Sequence, residues 1–351
     1  MKEFGQHISG IAKIEFKRGL NMKPKLKIMF RNFWGNFSPN YMPQDYFFEF
    51  LLSHGYDVVY DSESPDLVIS SVFGEPVNRN QFRNDPFIIN YNCEPDWLYP
   101  DYLKNECDLK IGYGEGYYRF PLWLTYIIWD QTNLNTRYKL QDNPHVGQGC
   151  HHTPNFGMQV DNGLADNPLF ITNMLQRHLK PLPKKHNFCN FTYSKAIPSR
   201  VEFFHELSKY KFIQSTGSVL NNTGYRMKSK TKELKAYKFT IAFENSIRPG
   251  YVTEKIMEPL AASSVPIYMG DKSVLGDFNP KAFIYANDFP SIKELIEYVI
   301  EIDNNKDLYE SYLREPIFGE NEYNSLDKPK QLFNYIYTHL IQKKPNLILP
   351  K

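Results

Sequence analysis

The chain predicts an α/β fold of two domains, each built around a parallel sheet. Its 351 residues suffice for two domains with cores of their own. The stretch from Tyr237 to Asp271 reads as strand, polar loop, helix and strand. That is the size of one βαβ crossover, and a crossover of this kind joins parallel strands. Short apolar runs separated by helical or loop segments recur through the rest of the chain, which is the mark of an α/β domain.

The elements can be taken in order. Residues 1–23 read as a loosely attached leader, and organised structure begins near Pro24. Leu26–Phe30 reads as a strand followed by the polar turn Asn32-Phe33-Trp34-Gly35, and Gln44–His54 as a helix stopped by Gly55. Asp57–Tyr60, Leu67–Val72, Phe87–Tyr91 and Leu109–Ile111 are further strands, completing a first domain over 24–150. Gln141 to Lys185 is rich in Asn, Pro, Gly and His and reads as connecting chain, with a helical piece at Leu169–His178. The second domain, 151–351, continues with strand Phe188–Tyr193, helix Ser199–Tyr210, strand Phe212–Thr216 and helix Thr231–Tyr237. In the central unit Phe239–Phe243 is β-branched and aromatic, a buried-strand signal, and Glu254–Ala262 carries an apolar face of Ile256, Leu260 and Ala261. Pro259 should kink or shorten that helix. Strands Val265–Tyr268 and Phe283–Tyr285 follow, with closing helices at Ile292–Ile302, Lys306–Leu313 and Lys330–Gln342.

Composition narrows the function classes. The chain is 42% hydrophobic and 23% charged, as globular proteins are. A formal charge of +2 makes no case for a nucleic-acid partner. Cys93, Cys107, Cys150 and Cys189 are scattered without a CxxC pair, which argues against a zinc site and against a disulfide framework and fits a reducing compartment. No run approaches the ~18 apolar residues of a membrane span. The N-terminus also lacks the apolar core and small-residue cleavage site of a secretory signal.

In doubly wound sheets, ligands sit beyond the carboxyl ends of the strands, beside helix N-termini. This places Asn245, Ser246, Arg248, Tyr251, Glu254 and Lys255 around one crevice. Lys255 falls in the first turn of its helix, where the macrodipole disfavours a cation unless an anion such as a phosphate lies there too. Residue type alone equally fits a solvated surface lysine.

Phe243-Glu244-Asn245-Ser246, then Tyr251-Val252-Thr253-Glu254-Lys255, Val265-Pro266 and Gly270 together resemble the signature of the family-10 α-1,3/1,4-fucosyltransferases, which use GDP-fucose. The resemblance implies a GT-B fold, two Rossmann-like domains facing across a cleft. The first domain would take the acceptor and the second GDP-fucose. It implies a general base at Glu94, in Tyr91-x-x-Glu94 after a strand; Asp96 and Glu75 compete for the role, and a surface glutamate ending a strand is the plain alternative. Arg200, near a helix start, becomes a diphosphate contact; without the resemblance it could equally pair with Glu202 or Glu206 on the helix surface. Ser194, Ser218 and Tyr225 become residues near the nucleotide, Glu254 a partner of the ribose hydroxyls, and Tyr251 a neighbour of the nucleotide sugar. Many glycosyltransferases hold a metal through Asp-x-Asp, which this sequence lacks. Arg200, Lys255 and the helix N-terminus would then carry the leaving-group charge, with no required cofactor, although some family members respond to manganese. One direct displacement would invert the anomeric centre.

The acceptor implied is an N-acetyllactosamine-type glycan of lipopolysaccharide or surface polysaccharide. Trp34 and Trp97, beside polar turns, are the acceptor-binding candidates among many core aromatics. Eukaryotic family members carry an N-terminal membrane anchor, which this sequence lacks, so the expectation is a bacterial, cytoplasmic protein. The basic run Arg226–Lys232 and the tail Gln342-Lys343-Lys344 would let it visit anionic membrane. The rivals are a GT-B enzyme with another donor, a glycan-binding module and a nucleic-acid binder. The last would show a steep salt dependence.

Overall fold

The structure is a computed structural model describing residues 23–33, 43–94, 106–127, 174–228, 230–319 and 327–350. It divides into two compact units. The first comprises Met1–Tyr126, Arg248–Tyr251 and Asn324–Lys351, and the second Ile127–Ile247 and Val252–Tyr323. The division therefore differs from 24–150 and 151–351 in three respects: the boundary falls at Tyr126/Ile127, the last helix belongs to the first unit, and so does the short segment Arg248–Tyr251. Of the leader 1–23, only Lys23 is among the described residues.

Among its described residues the first unit holds a parallel sheet of six strands: β1 (Lys25–Arg31), β2 (Asp57–Tyr60), β3 (Leu67–Ser70), β4 (Phe87–Tyr91), β5 (Leu109–Gly112) and β6 (Tyr118–Arg119). Their order is β2-β1-β3-β4-β5-β6. β3 and β4 are buried at every position, as strands covered on both faces must be, and this explains their unbroken Leu, Val, Ile and Phe runs. Helix α1 (Pro43–Ser53) packs Phe47, Phe48, Leu51 and Leu52 into this core, with Phe48 edge-on to Tyr91 at 5.0 Å. The C-terminal helix Lys328–Lys343 buries Leu332, Phe333, Ile336 and Leu340, and Tyr335 stacks on Tyr118 at 4.2 Å. A side chain at Gly55 would meet Phe333 at 2.7 Å, so this glycine, expected only to stop α1, also seats the last helix. Lys343 reaches Asp85 at 3.1 Å and Asp108 at 3.4 Å, fastening the helix's last turn.

The second unit holds a parallel sheet of five strands: β7 (Asn187–Phe191), β8 (Ile213–Ser215), β9 (Tyr237–Phe243), β10 (Val265–Met269) and β11 (Ile284–Tyr285), in the order β11-β10-β9-β7-β8. Numbered within each unit, the first sheet runs 2-1-3-4-5-6 and the second 2-1-3-4-5, a doubly wound order with its switch point between the first and third strands. Helices α2 (Pro198–Ser208), α3 (Glu254–Ala261), α4 (Ile292–Asn304) and α5 (Lys306–Arg314) accompany it. Phe203 and Leu207 of α2, Leu295, Val299 and Ile302 of α4 and Leu313 of α5 join Phe191, Phe239, Ile241 and Ile267 in one core.

Several elements differ from the sequence reading. Tyr193 lies beyond the end of β7, and Thr231–Tyr237 is a single turn at Lys230–Glu233 followed by a 3-10 turn at Leu234–Ala236. Half of Leu169–His178, residues 169–173, lies outside the described residues; residues 174–175 are helical, and a 3-10 turn follows at Arg177–Leu179. Pro259 sits inside α3, which stops two residues later at Ala261. Buried Arg177 donates to the carbonyls of Leu260 (3.3 Å), Tyr312 (3.1 Å) and Glu315 (2.8 Å), placing a cation at the carboxyl ends of α3 and α5.

Candidate functional site

At the switch point of the second sheet β7 and β9 stop pairing, their register running from Asn187↔Tyr237 to Asn190↔Thr240. The backbone of β9 beyond that point must bond elsewhere. Tyr193 takes over: its hydroxyl accepts from Phe243 N (2.7 Å) and donates to Ile241 O (2.9 Å). Burial, against the nearby charges of Arg200 and Lys255, pushes this phenol up to about 12, so it serves as a neutral strut. Its ring lies 4.0 Å below the guanidinium of Arg200.

Arg200, in the first turn of α2 and 1% exposed, donates to Phe243 O through Nε (3.1 Å) and Nη2 (2.6 Å), to Asn245 Oδ1 through Nη2 (2.8 Å) and to Lys195 O through Nη1 (3.3 Å). A guanidinium has five N–H groups, and most of these are committed to protein oxygens. Arg200 therefore fixes Asn245 and the end of β9 while keeping its charge at the switch point. An outward bidentate fork would require those bonds to break. The helix-surface pairing with Glu202 or Glu206 does not form; the side chain points inward.

The next charges come from the start of α3. Thr253 is its N-cap, accepting from Lys255 N at 3.4 Å. Glu244, at the end of β9 with its side chain wholly enclosed, accepts from Thr253 N (2.8 Å), from Thr253 Oγ1 (2.8 Å) and from Tyr268 OH (3.2 Å). Lys255 Nζ lies 3.0 Å from Thr253 Oγ1, 3.3 Å from Glu254 Oε1 and 3.3 Å from Glu244 Oε2. Burial opposes its charge, but Glu244 and Glu254 hold its pKa above the usual lysine value. Burial would raise the Glu254 carboxyl, yet Lys255 and Lys230 hold it below the usual value. One turn on, Glu258 pairs with Lys230 at 2.7 Å, and burial together with the charge of Glu254 pushes it up to about 7. The solvated-lysine alternative for Lys255 is thus set aside: it is largely buried and neutralised.

Arg200, Asn245, Glu254 and Lys255 are therefore brought to one edge, and the sequence reading missed the struts Tyr193, Glu244, Thr253 and Tyr268. The signal was present in Phe243-Glu244-Asn245, where an acid directly ends an apolar strand. Ser246 is half-buried beside Asn245, and Ser194 is exposed after β7. Exposed Ser218 donates its N–H to Tyr193 O at 2.9 Å, and Tyr225 is 46% exposed on a loop tied by Asn221 to Gly217 O and Tyr225 O. Arg248 and Tyr251 belong to the first unit instead. There Arg248 is exposed, and buried Tyr251 packs its ring 4.8 Å from that of Tyr113.

In the first unit Glu94 follows β4 and is 9% exposed, so the surface-glutamate alternative does not hold. The turn carrying it is shaped by Asn92, whose N–H donates to Ile111 O (2.8 Å) and whose Nδ2 donates to Tyr113 O (3.0 Å). Gly112, at φ +131°, leaves room for it: a Cβ there would fall 2.2 Å from Asn92 O. Glu75 is exposed after β3. Trp34, Asp96 and Trp97 lie outside the described residues. Among the described residues no group of three or more His, Cys, Asp or Glu is placed to hold a metal, and no helix is long and apolar enough to cross a membrane.

Two doubly wound parallel sheets, with paired cations and acids at one switch point and a buried carboxylate at the carboxyl edge of the other sheet, are the architecture of the GT-B fold class. Residues 182–315 match the model of the glycosyltransferase family 10 (fucosyltransferase) C-terminal domain. The chain is 30% identical over 351 residues to the α-(1,3)-fucosyltransferase FucT of Helicobacter pylori, covering 95% of this chain and 66% of that one. It is 29% identical over 208 residues to the mouse 4-galactosyl-N-acetylglucosaminide 3-α-L-fucosyltransferase 9, covering 53% of this chain and 56% of that one. A crystal structure of an α1,3-fucosyltransferase with GDP-fucose superposes with a TM-score of 0.62 at 26% identity, covering 94% of each chain. The chain belongs to glycosyltransferase family 10, the fucosyltransferases. It spans less than two thirds of the length of these curated relatives.

Proposed function

We propose that the protein is an inverting α-1,3-fucosyltransferase that moves L-fucose from GDP-fucose to a GlcNAc hydroxyl of an N-acetyllactosamine-type glycan. The observation that carries this reading is the Arg200–Asn245 and Glu244–Lys255–Glu254 constellation at the switch point of a family 10 domain. The mouse relative's name specifies a galactosyl-N-acetylglucosaminide acceptor, and the similar crystal structure holds GDP-fucose. The product would be a Lewis-type structure on lipopolysaccharide or surface polysaccharide. Exposed Arg226 and Lys228 supply a basic face for a cytoplasmic protein visiting anionic membrane.

In this reading the acceptor oxygen forms the new bond to fucose C1 as the C1–O bond to the β-phosphate breaks. Glu94 takes the acceptor proton, a contribution of typically ~10²–10⁴-fold. GDP leaves with the bonding electron pair. Its growing charge meets Lys255, the field of Arg200 and the N-terminus of α3, groups already fixed in place before the charge develops. Glu254 accepts from the ribose hydroxyls, and Ser194, Ser218 and Tyr225 border the nucleotide. In this reading the side-chain cations carry the leaving-group charge, and manganese would supplement them.

The test is transfer from GDP-fucose to N-acetyllactosamine with EDTA and, separately, with manganese. Product in EDTA is the expected result. Product only with manganese would remove Arg200 and Lys255 as a sufficient cation set. Failure to bind GDP-fucose at all would sink the proposal.

A further inference from the structure

Resting on that donor reading, the contacts of Lys255 carry it one step further. An ammonium has three hydrogens, and Lys255 already faces three oxygens: Thr253 Oγ1 (3.0 Å), Glu254 Oε1 (3.3 Å) and Glu244 Oε2 (3.3 Å). A phosphate oxygen can join only when one of these moves. Glu244 cannot easily be the one. Its side chain is wholly enclosed and is held by Thr253 N, Thr253 Oγ1 and Tyr268 OH as well as by the lysine. Thr253 is the N-cap of α3, and its hydroxyl is locked to Glu244. Glu254 differs. Its side chain is 12% exposed, and among the described residues Lys255 is the one other residue that hydrogen-bonds it, beside its own backbone N–H.

We propose that Glu254 is a latch on Lys255, released when its carboxylate exchanges the ammonium for the ribose hydroxyls of the nucleotide. The exchange frees one N–H for the diphosphate while Glu244 and Thr253 hold the amine in place. Glu254 is thus a positioning residue for the phosphate half of the ligand and a contact for the ribose half. The two halves are coupled: each makes the other's binding less costly, and the coupling is reciprocal. A nucleoside alone would break the Glu254–Lys255 pair without phosphate to replace it. Pyrophosphate alone would have to displace a carboxylate that has nowhere better to go.

Calorimetry on the wild-type chain tests this with four ligands: GDP, 2′,3′-dideoxy-GDP, guanosine and 2′,3′-dideoxyguanosine. The latch requires that deleting the ribose diol weakens GDP at least fivefold more than it weakens guanosine, because only with GDP does the deletion also leave Lys255 latched. Equal penalties would mean an ordinary ribose contact and would overturn the latch. A second measurement uses inorganic pyrophosphate with Glu254→Gln, a change of nearly equal size at a partly exposed site. The variant should bind pyrophosphate at least fivefold more tightly than wild type, and this ratio should survive 0.5 M salt. A ratio that collapses with salt would reduce Glu254 to a screened background charge. Should the wild type bind neither GDP nor pyrophosphate, the donor reading and the latch fall together. Should GDP bind with equal diol penalties, the latch alone falls.

Discussion

The two sheets share strand order and parallel pairing, yet their switch points are chemically unlike. In the first unit the gap between β1 and β3 is closed by Asn32, at φ +57°, whose Nδ2 donates to Glu75 O at 2.7 Å and to Ser70 Oγ at 3.4 Å. Every group in that closure is neutral. In the second unit the equivalent gap is closed by Tyr193 and Arg200, with Glu244, Lys255 and Glu254 beside them. The buried carboxylate of the first unit, Glu94, sits one strand further along, past β4. The same topology thus supports a cluster of paired charges in one unit and, among the described residues, a single buried carboxylate off the switch point in the other. Architecture chooses where a ligand can sit, and side chains choose which ligand.

The sharpest way to break this division of labour is to remove one group from each edge. Glu94→Gln should lower transfer by about 10²–10⁴-fold and leave GDP affinity unchanged, measured by initial rates and by calorimetry. Lys255→Ala should weaken GDP by on the order of 100-fold, the scale of a lost charge-assisted bond, with guanosine little affected. A Glu94 variant that loses GDP, or a Lys255 variant that loses GDP and guanosine alike, would erase the distinction between the edges.

A smaller effect should follow from backbone crowding. Ala at Gly112 would place its Cβ 2.2 Å from Asn92 O, and Ala at Gly217 would place it 2.2 Å from Tyr193 O. Each should cost on the order of 3 kcal/mol by thermal melt. Gly112→Ala should impair transfer while sparing GDP affinity, and Gly217→Ala should do the reverse, since Tyr193 supports Arg200. Identical functional losses in both variants would show that the edges do not act separately.

The smallest effect is a pH dependence confined to the second unit. Glu258 faces Lys230 on the short Lys230–Glu233 helix and Glu254 and Lys255 on its own helix, and its carboxyl is raised to about 7 from the usual 4.5. The folded state then binds a proton that the unfolded state has released. This contribution to stability is present below pH 4.5 and is lost as pH rises towards about 7. Glu258→Gln should remove that downward slope, leaving the variant relatively more stable at pH 8 than at pH 5 in chemical melts. An unchanged slope would show that Lys230 keeps Glu258 ionised throughout.

Much of the second unit was legible in the sequence because its signals are local. Phe239–Phe243 and Val265–Tyr268 are unbroken apolar runs, and β9 and β10 lie there in parallel register with Thr240 opposite Pro266. Of the apolar face expected for α3, Ile256 and Leu260 are buried and recur with the helical period, and Met257 and Pro259 bury beside them. Asn245, Glu254 and Lys255 were found because they flank a single strand-to-helix loop. Arg200 was found as a cation at a helix start, but its direction was not, because what turns it inward is the carbonyl of Phe243, forty-three residues away.

By itself, then, the sequence determined the fold class, the order of most elements, the family signature and the short list of charged residues. All of these depend on periodicity or on neighbours within one loop. Tertiary structure alone decided the rest. It showed that Tyr193 replaces the missing ladder where β7 and β9 part, that Glu244 anchors Lys255, and that Tyr251 packs on Tyr113. It also placed the helix Lys328–Lys343 with the first sheet. Apart from Glu244–Lys255, which spans one loop, each of these is a pairing across long sequence separation, set by which backbone groups are left unbonded and which charges are buried together. No local pattern in the chain encodes either.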